Sequence, residues 1–413
     1  MNPKDIEIMS PVGSYESLMA AIEAGADSVY FGVGNLNMRS ASANNFTLDD
    51  LKNICSVARE NAVKTYLTLN TVIYDEELDY MHQVVNCAKE SGISAIIASD
   101  MSVISYANSI GVEIHLSTQC NITNYEAVKY YSKFADVIVT ARELSLDKVK
   151  SIIDRINEED LRGFSGKRLR IECFVHGALC MAVSGKCYIS LDNANRSANR
   201  GACLQYCRRP YKVTDLDGGT ELMIDNQYIM SPKDLKTLDF IGKIIDAGVR
   251  VFKIEGRGRS PEYVKMVTRT YREAVDSWCD GTWSEEKLSQ WNENLKRVYN
   301  RGFWDGYYLG QRVGEWSGKY GSKATTTKIF IGTVTNYFKN LGVAEIKMES
   351  GELNLGDEIY IIGPTTGVYE GKATEIRVDL KQTQKTVKGE MFSMPTSSLV
   401  RRNDKLYLVK HNE

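Results

Sequence analysis

Short apolar runs alternate with longer amphipathic ones over most of the chain, and this alternation constrains the fold more than any other feature. The runs 6–10, 28–32, 65–70, 95–99, 113–117, 136–140, 170–177 and 251–256 are rich in Val and Ile, as strands buried on both faces should be. Helical patterns follow at 17–25, 47–62, 75–92, 101–111, 124–135, 145–156 and 260–278. Gly25, Gly92 and Gly111 fall where helix C-caps are expected. Strand–helix alternation predicts an α/β fold with a parallel sheet, and eight such strands predict a closed (β/α)8 barrel of the TIM type. An open doubly wound sheet is the alternative, but the Gly-rich phosphate turn it needs after the first strand is missing.

The barrel is expected to occupy 1–281. Residues 282–324 are polar and aromatic, as in NRGFWDGYYLG (300–310), and read as a closing helical segment or linker. After about residue 325 the period changes to two, in IFIGTVTNYF, GVAEIKM, DEIYIIGP, GVYEGKATEIRV, EMFSMP and DKLYLV. This predicts a small antiparallel β-barrel over 325–413. It carries no catalytic constellation and reads as a binding module.

About 70 residues separate strands seven and eight, and an insertion of that length in a compact domain is usually functional. Its core, 172–211, holds Cys180, Cys187, Cys203 and Cys207 in the spacing C-x6-C-x15-C-x3-C. Four soft thiolates suit zinc or an iron–sulfur cluster. Zinc ribbons usually carry two short knuckles, and only Cys203 and Cys207 make one, so the spacing favours iron–sulfur. Cys173 alternates with apolar residues and reads as a buried strand residue, and Cys55, Cys87 and Cys120 read as core. The odd total of nine cysteines and the lack of a signal peptide argue against a secreted disulfide framework and for a cytoplasmic protein. No apolar run approaches the roughly 20 residues of a membrane span.

The formal net charge is −2, so binding to a polyanion must come from local patches. Residues 162–212 form one, with ten Lys/Arg against Glu172 and Asp192. Chemistry in such barrels sits at the C-terminal ends of the strands. The polar residues there are Asn70 and Thr71, Ser99 and Asp100, Ser117, Thr118 and Gln119, Arg142 and Glu143, His176, then Lys253, Glu255, Arg257 and Arg259, with Arg39 in the loop after strand two. A peptidase needs an activated nucleophile or a metal-bound water. Of four His residues only His176 is well placed, and neither HExxH nor GxSxG occurs. Cys180 beside His176 makes a thiol–imidazole pair conceivable, but four spaced cysteines read better as ligands.

FVHGALC (174–180), SGKC (184–187), ANRGACLQYCR (198–208), MSPKDL (230–235) and KIEGRGRSPEYV (253–264), with SPVGSYESLMAAIEAGADSVYFG (10–32) and LSTQ (116–119), resemble the family catalogued as peptidase U32, the collagenase-like peptidases. The resemblance covers nearly the whole chain and is closest to the branch of tRNA 5-hydroxyuridine modification proteins. It implies a [4Fe–4S] cluster on Cys180, Cys187, Cys203 and Cys207. It also implies hydroxylation of the wobble uridine in the tRNA anticodon loop, with prephenate as the hydroxyl source and with neither DNA nor membrane as partner. The C-terminal barrel is similar to the second domain of translational elongation factors. On this reading His176, Glu255 and Glu143 are the expected catalytic groups. Asn70, Gln119, Lys253, Arg257, Arg259, Arg200 and Arg208 are expected to bind substrate, because guanidinium forks match carboxylates and phosphates. Tyr206 or Tyr211 is expected to stack on an unpaired base. The family's name keeps a peptidase in play as a second function, and a non-catalytic RNA-binding or assembly factor is a third.

Overall fold

A computed structural model describes residues 2–41, 45–214, 221–222, 228–311 and 314–412. Eight parallel strands close into a barrel: Glu7–Pro11, Ser28–Gly32, Lys64–Leu69, Ala95–Ala98, Ile114–Leu116, Val137–Val139, Arg170–Gly177 and Val251–Ile254. Closure is made by strand eight, which pairs with strand one through Glu7↔Val251 and with strand seven through Val251↔Glu172. The expected barrel is therefore the observed one.

Helices begin where short polar side chains can take up free backbone N–H groups. Ser14 accepts from Ser17 N, Asp100 from Ser102 N and Asn124 from Ala127 N. Gly92 ends its helix with a φ of 81°, a conformation that costs glycine little. The helices bury Leu18, Leu51, Val84, Ile104, Val149 and Val267 against the outer faces of the strands. The barrel interior has a smaller cluster, Met9, Tyr30, Tyr66, Ala95, Ile97, Val137 and Val251. Mixed with it are four fully or nearly buried ionisable groups, Glu7, His115, Glu172 and Lys253.

Helix Glu285–Arg297 and the chain through Tyr308 form a layer of the barrel itself. Helix Glu285–Arg297 packs on helix Pro261–Cys279, and Trp291, Leu295, Val298, Trp304 and Tyr308 join the main core. Strand Phe303–Trp304 pairs with strand Asp234–Lys236, which pairs antiparallel with the end of strand seven. The chain thus returns from the insertion and props the edge that carries the Cys segment.

The C-terminal strands form an eight-stranded sheet around Ile331, Val334, Ile346, Ile361, Phe392 and Leu406. This unit docks on helices Tyr15–Glu23 and Pro261–Cys279 through Ala20 against Tyr360, Ile362, Val368 and Val409. Ion pairs ring the patch: Arg269–Glu370 at 2.8 Å, Lys328–Glu262 at 2.7 Å and Arg297–Glu358 at 2.6 Å. Among the described residues no helix is long and apolar enough to cross a membrane.

Candidate active site at the barrel mouth

A cavity of about 230 Å³ opens at the C-terminal ends of the strands. Strand residues Tyr30, Thr68, Ile97, Phe174 and Lys253 line it from below, and Asn70, Ser117 and Gln119 line it from the loops just beyond. The Cys-rich insertion forms its roof, and Cys180, Cys187, Cys203 and Cys207 all line it. All four are free thiols. Burial pushes the Cys207 thiol up, and after the opposing effect of Arg208 the nearness of Cys180, Cys203 and Cys187 pushes it further. The Cys207 sulfur therefore stands near the other three. Among the described residues no three His, Cys, Asp or Glu side chains converge as a single metal ion requires. Cys173 lies elsewhere, buried with its sulfur 3.4 Å from Thr140 Oγ1.

Three contacts fix the roof. Arg200 donates to Glu77 and to the carbonyl of Val72, and its guanidinium lies 4.2 Å over the Tyr74 ring. Arg208 donates to the carbonyls of Pro232 and Leu179, both at 2.6 Å, tying both ends of the Cys segment to the returning chain. Gly201, at φ 77°, lies so close to Ser40 and the carbonyl of Asn37 that any Cβ there would collide with both.

The cavity wall is strongly cationic. Arg39, Arg142, Arg208, Lys253, Arg257, Arg259 and Arg301 line it, against the single carboxylate Glu255. Three have acidic partners: Arg39 binds Glu255 at 2.6 Å, Lys253 binds Glu172 at 2.7 Å and Arg301 binds Asp234 at 3.2 Å. The other four have none within ion-pair distance among the described residues. Arg142 donates to the Ala178 carbonyl and stacks on Phe174 at 3.8 Å. Arg257 donates to Asn37 and to Thr68, and Arg259 lies 3.6 Å over the Tyr299 ring. Burial lowers Arg257 to about 10, a sign of positive charge held away from water.

Most expected site residues meet at this cavity: Asn70, Gln119, Arg208, Lys253, Glu255, Arg257 and Arg259. Three do not line it. Glu143 is exposed, because the turn after strand six sends Arg142 inward and the next residue outward. Arg200 is spent on the Glu77 latch. His176 is buried against Tyr271, Phe303 and Tyr263, with ring centroids 5.5, 5.6 and 6.1 Å away. Strand parity would aim His176 where Phe174 points, but the pairing with strand eight shifts register there and His176 turns to the helix layer. Burial, with Lys236 and Arg259, lowers His176 to about 3, so it is neutral. Glu255 is also not poised as a proton carrier. Burial alone would raise it, but Arg39, with Arg142 and Arg257, holds it at about 2. Tyr30 and Thr68 went unnoticed in the sequence, although alternation along their strands points them into the barrel. Arg301 carried no signal, since only the returning chain brings it to the mouth.

Peptidase family U32 matches residues 13–318. A "Collagenase" of Porphyromonas gingivalis is 60% identical over 98% of this chain and 98% of its own length. The "tRNA hydroxylation protein P1" of Bacillus subtilis is 32% identical over 87% of this chain and 84% of its own. The "23S rRNA 5-hydroxycytidine C2501 synthase" of Escherichia coli is 34% identical over 75% of this chain and 46% of its own. The family match spans the barrel from its second strand onward, the Cys roof and the returning layer that props it, and with these relatives it establishes that the chain belongs to peptidase family U32.

Proposed function

We propose that this protein hydroxylates RNA, converting the wobble uridine of a tRNA anticodon loop to 5-hydroxyuridine with prephenate as co-substrate and a [4Fe–4S] cluster on Cys180, Cys187, Cys203 and Cys207. The observation that carries this reading is that four free thiols face one cavity together with four guanidinium groups that have no carboxylate within ion-pair distance among the described residues. Two relatives named for RNA hydroxylation, one for tRNA and one for 23S rRNA, support the reaction class. The donor set supports the cluster: Cys180, Cys187, Cys203 and Cys207 would hold it with one thiolate per iron. When bound, such a cluster supplies electron transfer or a Lewis-acidic iron at the roof.

The chain's own residues do the rest. Uncompensated buried charge is costly, so the guanidinium excess needs anions. Cluster thiolates offset part of it, and a dicarboxylate such as prephenate suits the remainder, held by forks such as Arg142 and Arg257. Glu255 stays ionised and orients Arg39. Asn70 and Gln119 line the cavity, and in this reading their side-chain amides read the edge of a flipped-out pyrimidine.

The 60% identity to a protein named collagenase favours a peptidase as the second reading. Against it, no His lines the cavity, so its Ser and Cys residues lack an imidazole base there, and Glu255 at about 2 is a poor general base. RNA mass spectrometry of a deletion strain decides. Wobble 5-hydroxyuridine should vanish, return with the wild-type gene, return only partly with Arg257→Lys, which lacks the bidentate fork, and fail when synthesis of prephenate is blocked. Persistence of the modification in both the deletion and the block would refute the assignment. Turnover of a peptide library by metallated, purified protein would favour the peptidase.

A further inference from the structure

We propose that a proton-holding site centred on His115 lies beneath the cavity, and that it takes up a proton when an anion binds at Lys253. The site is independent of whether RNA is the substrate, since it requires only that the cavity take an anion.

Strands five, seven and eight turn His115, Glu172 and Lys253 into the barrel. Lys253 belongs both to the cavity floor and to this interior, donating to Glu172 Oε1 at 2.7 Å. Glu172 Oε2 stands 3.8 Å from His115 Nδ1, and His115 Nε2 stands 3.4 Å from Glu113 Oε1. Glu113 is one-quarter exposed at the opposite end of the barrel, 3.7 Å from the surface residue Lys167. A line of ionisable groups thus runs from the cavity to solvent on the far face. Within it both ring nitrogens of His115 and Glu172 Oε2 are buried without a hydrogen-bond partner among the described residues. Buried polar atoms held only by charge, without a hydrogen bond, are costly, so a purely structural barrel filling has no reason to keep three together.

The groups facing His115 are the carboxylates Glu113, Glu172 and Glu7, and Tyr66, whose ring centroid is 4.3 Å away. Lys253 and Arg170 bind Glu172 and Glu7 respectively, Lys64 also binds Glu7, and Lys167 lies beyond Glu113. Burial disfavours the imidazolium, but the negative charge of the nearby Glu113 and Glu172 carboxylates outweighs it, so His115 titrates above its usual range. An anion arriving in the cavity competes with Glu172 for the Lys253 ammonium. Glu172 is then left less compensated, its negative charge falls on His115, and the imidazolium is favoured further. Anion affinity is accordingly highest at low pH and falls, by at most about tenfold per pH unit, as pH rises through the titration of free His115.

The test is calorimetric titration of malonate into the full chain, in buffers of different ionisation enthalpy, from pH 6.5 to pH 8.5. Wild type should take up a substantial fraction of one proton per malonate, with affinity falling about three- to tenfold across the range. His115→Gln should bind malonate with no proton uptake and a flat pH profile. Glu113→Gln should move the fall in affinity to lower pH. Equal uptake in a folded His115→Gln, or no binding of malonate to wild type, overturns the proposal. If His115→Gln does not fold, an unchanged pH profile in Glu113→Gln overturns it.

Discussion

At the scale of single residues, Glu255 is held charged and His176 is held neutral, and both leave a trace in acid stability. Glu255 is held at about 2 against an ordinary 4.5, so its stabilising effect is complete above about 4.5 and lost as pH falls toward 2. Glu255→Gln leaves Arg39 without its partner. Denaturant titration should find it about 1–3 kcal/mol less stable at pH 7, with a shallower loss between pH 4.5 and 2. His176 is kept neutral down to about 3, while an unfolded His protonates near 6.5. Its effect is therefore also present at high pH and is lost as pH falls, but the loss begins earlier, below 6.5. Its slope is at most about 1.4 kcal/mol per pH unit. His176→Phe should flatten the stability curve between pH 6.5 and 4 without touching the cavity. A His176 that carried a reaction proton would instead abolish turnover.

At the scale of elements, the Cys segment is a loop whose shape is imposed from outside. It has one short α-helix, Ile189–Ala194, and two single 3₁₀ turns, Ala198–Arg200 and Tyr206–Arg208, and depends on contacts with the loops after strands two and three and with the returning chain. Anaerobic reconstitution should load about four irons per chain. Serine at Cys180, Cys187, Cys203 or Cys207 should prevent this, whereas Cys173→Ser should not, because Cys173 points at Thr140 instead of the cavity. Stoichiometric zinc without iron would count decisively against the cluster. The Arg200–Glu77 pair, with both side chains less than one-quarter exposed, is the latch on the outer edge. Glu77→Gln should leave the circular dichroism unchanged but speed chelator-driven iron loss several-fold; an unchanged rate would show that the latch does not hold the roof.

At the scale of the whole molecule, the division of labour follows the two cores. The C-terminal unit has its own core and meets the barrel through one small apolar patch and a ring of ion pairs. Truncation near residue 325 should leave a folded, cluster-competent barrel with weakened RNA binding, measurable by thermal melting, iron content and gel shift. Truncation near 282 should fail to give soluble protein, because it strips Trp291, Leu295, Val298, Trp304 and Tyr308 from the barrel core. Buried aromatic losses of about 3–5 kcal/mol each exceed what a domain can spare.

The local features of this protein were determined by its sequence alone. Strand and helix positions follow from hydrophobic period, and the barrel follows from eight repeats of one alternation. The cavity-lining cysteines follow from their confinement to one segment. Tertiary structure decided what depends on distant partners. His176 left the mouth because a register shift overrode strand parity. Glu255 became a fixed anion because Arg39, far away in the chain, reaches it. Arg301 reached the cavity only because the returning chain pairs Phe303–Trp304 with strand Asp234–Lys236 and Arg301 binds Asp234. Periodicity encodes which face of an element is buried, but not what a side chain meets there, and the charge state of a buried group depends on that neighbour.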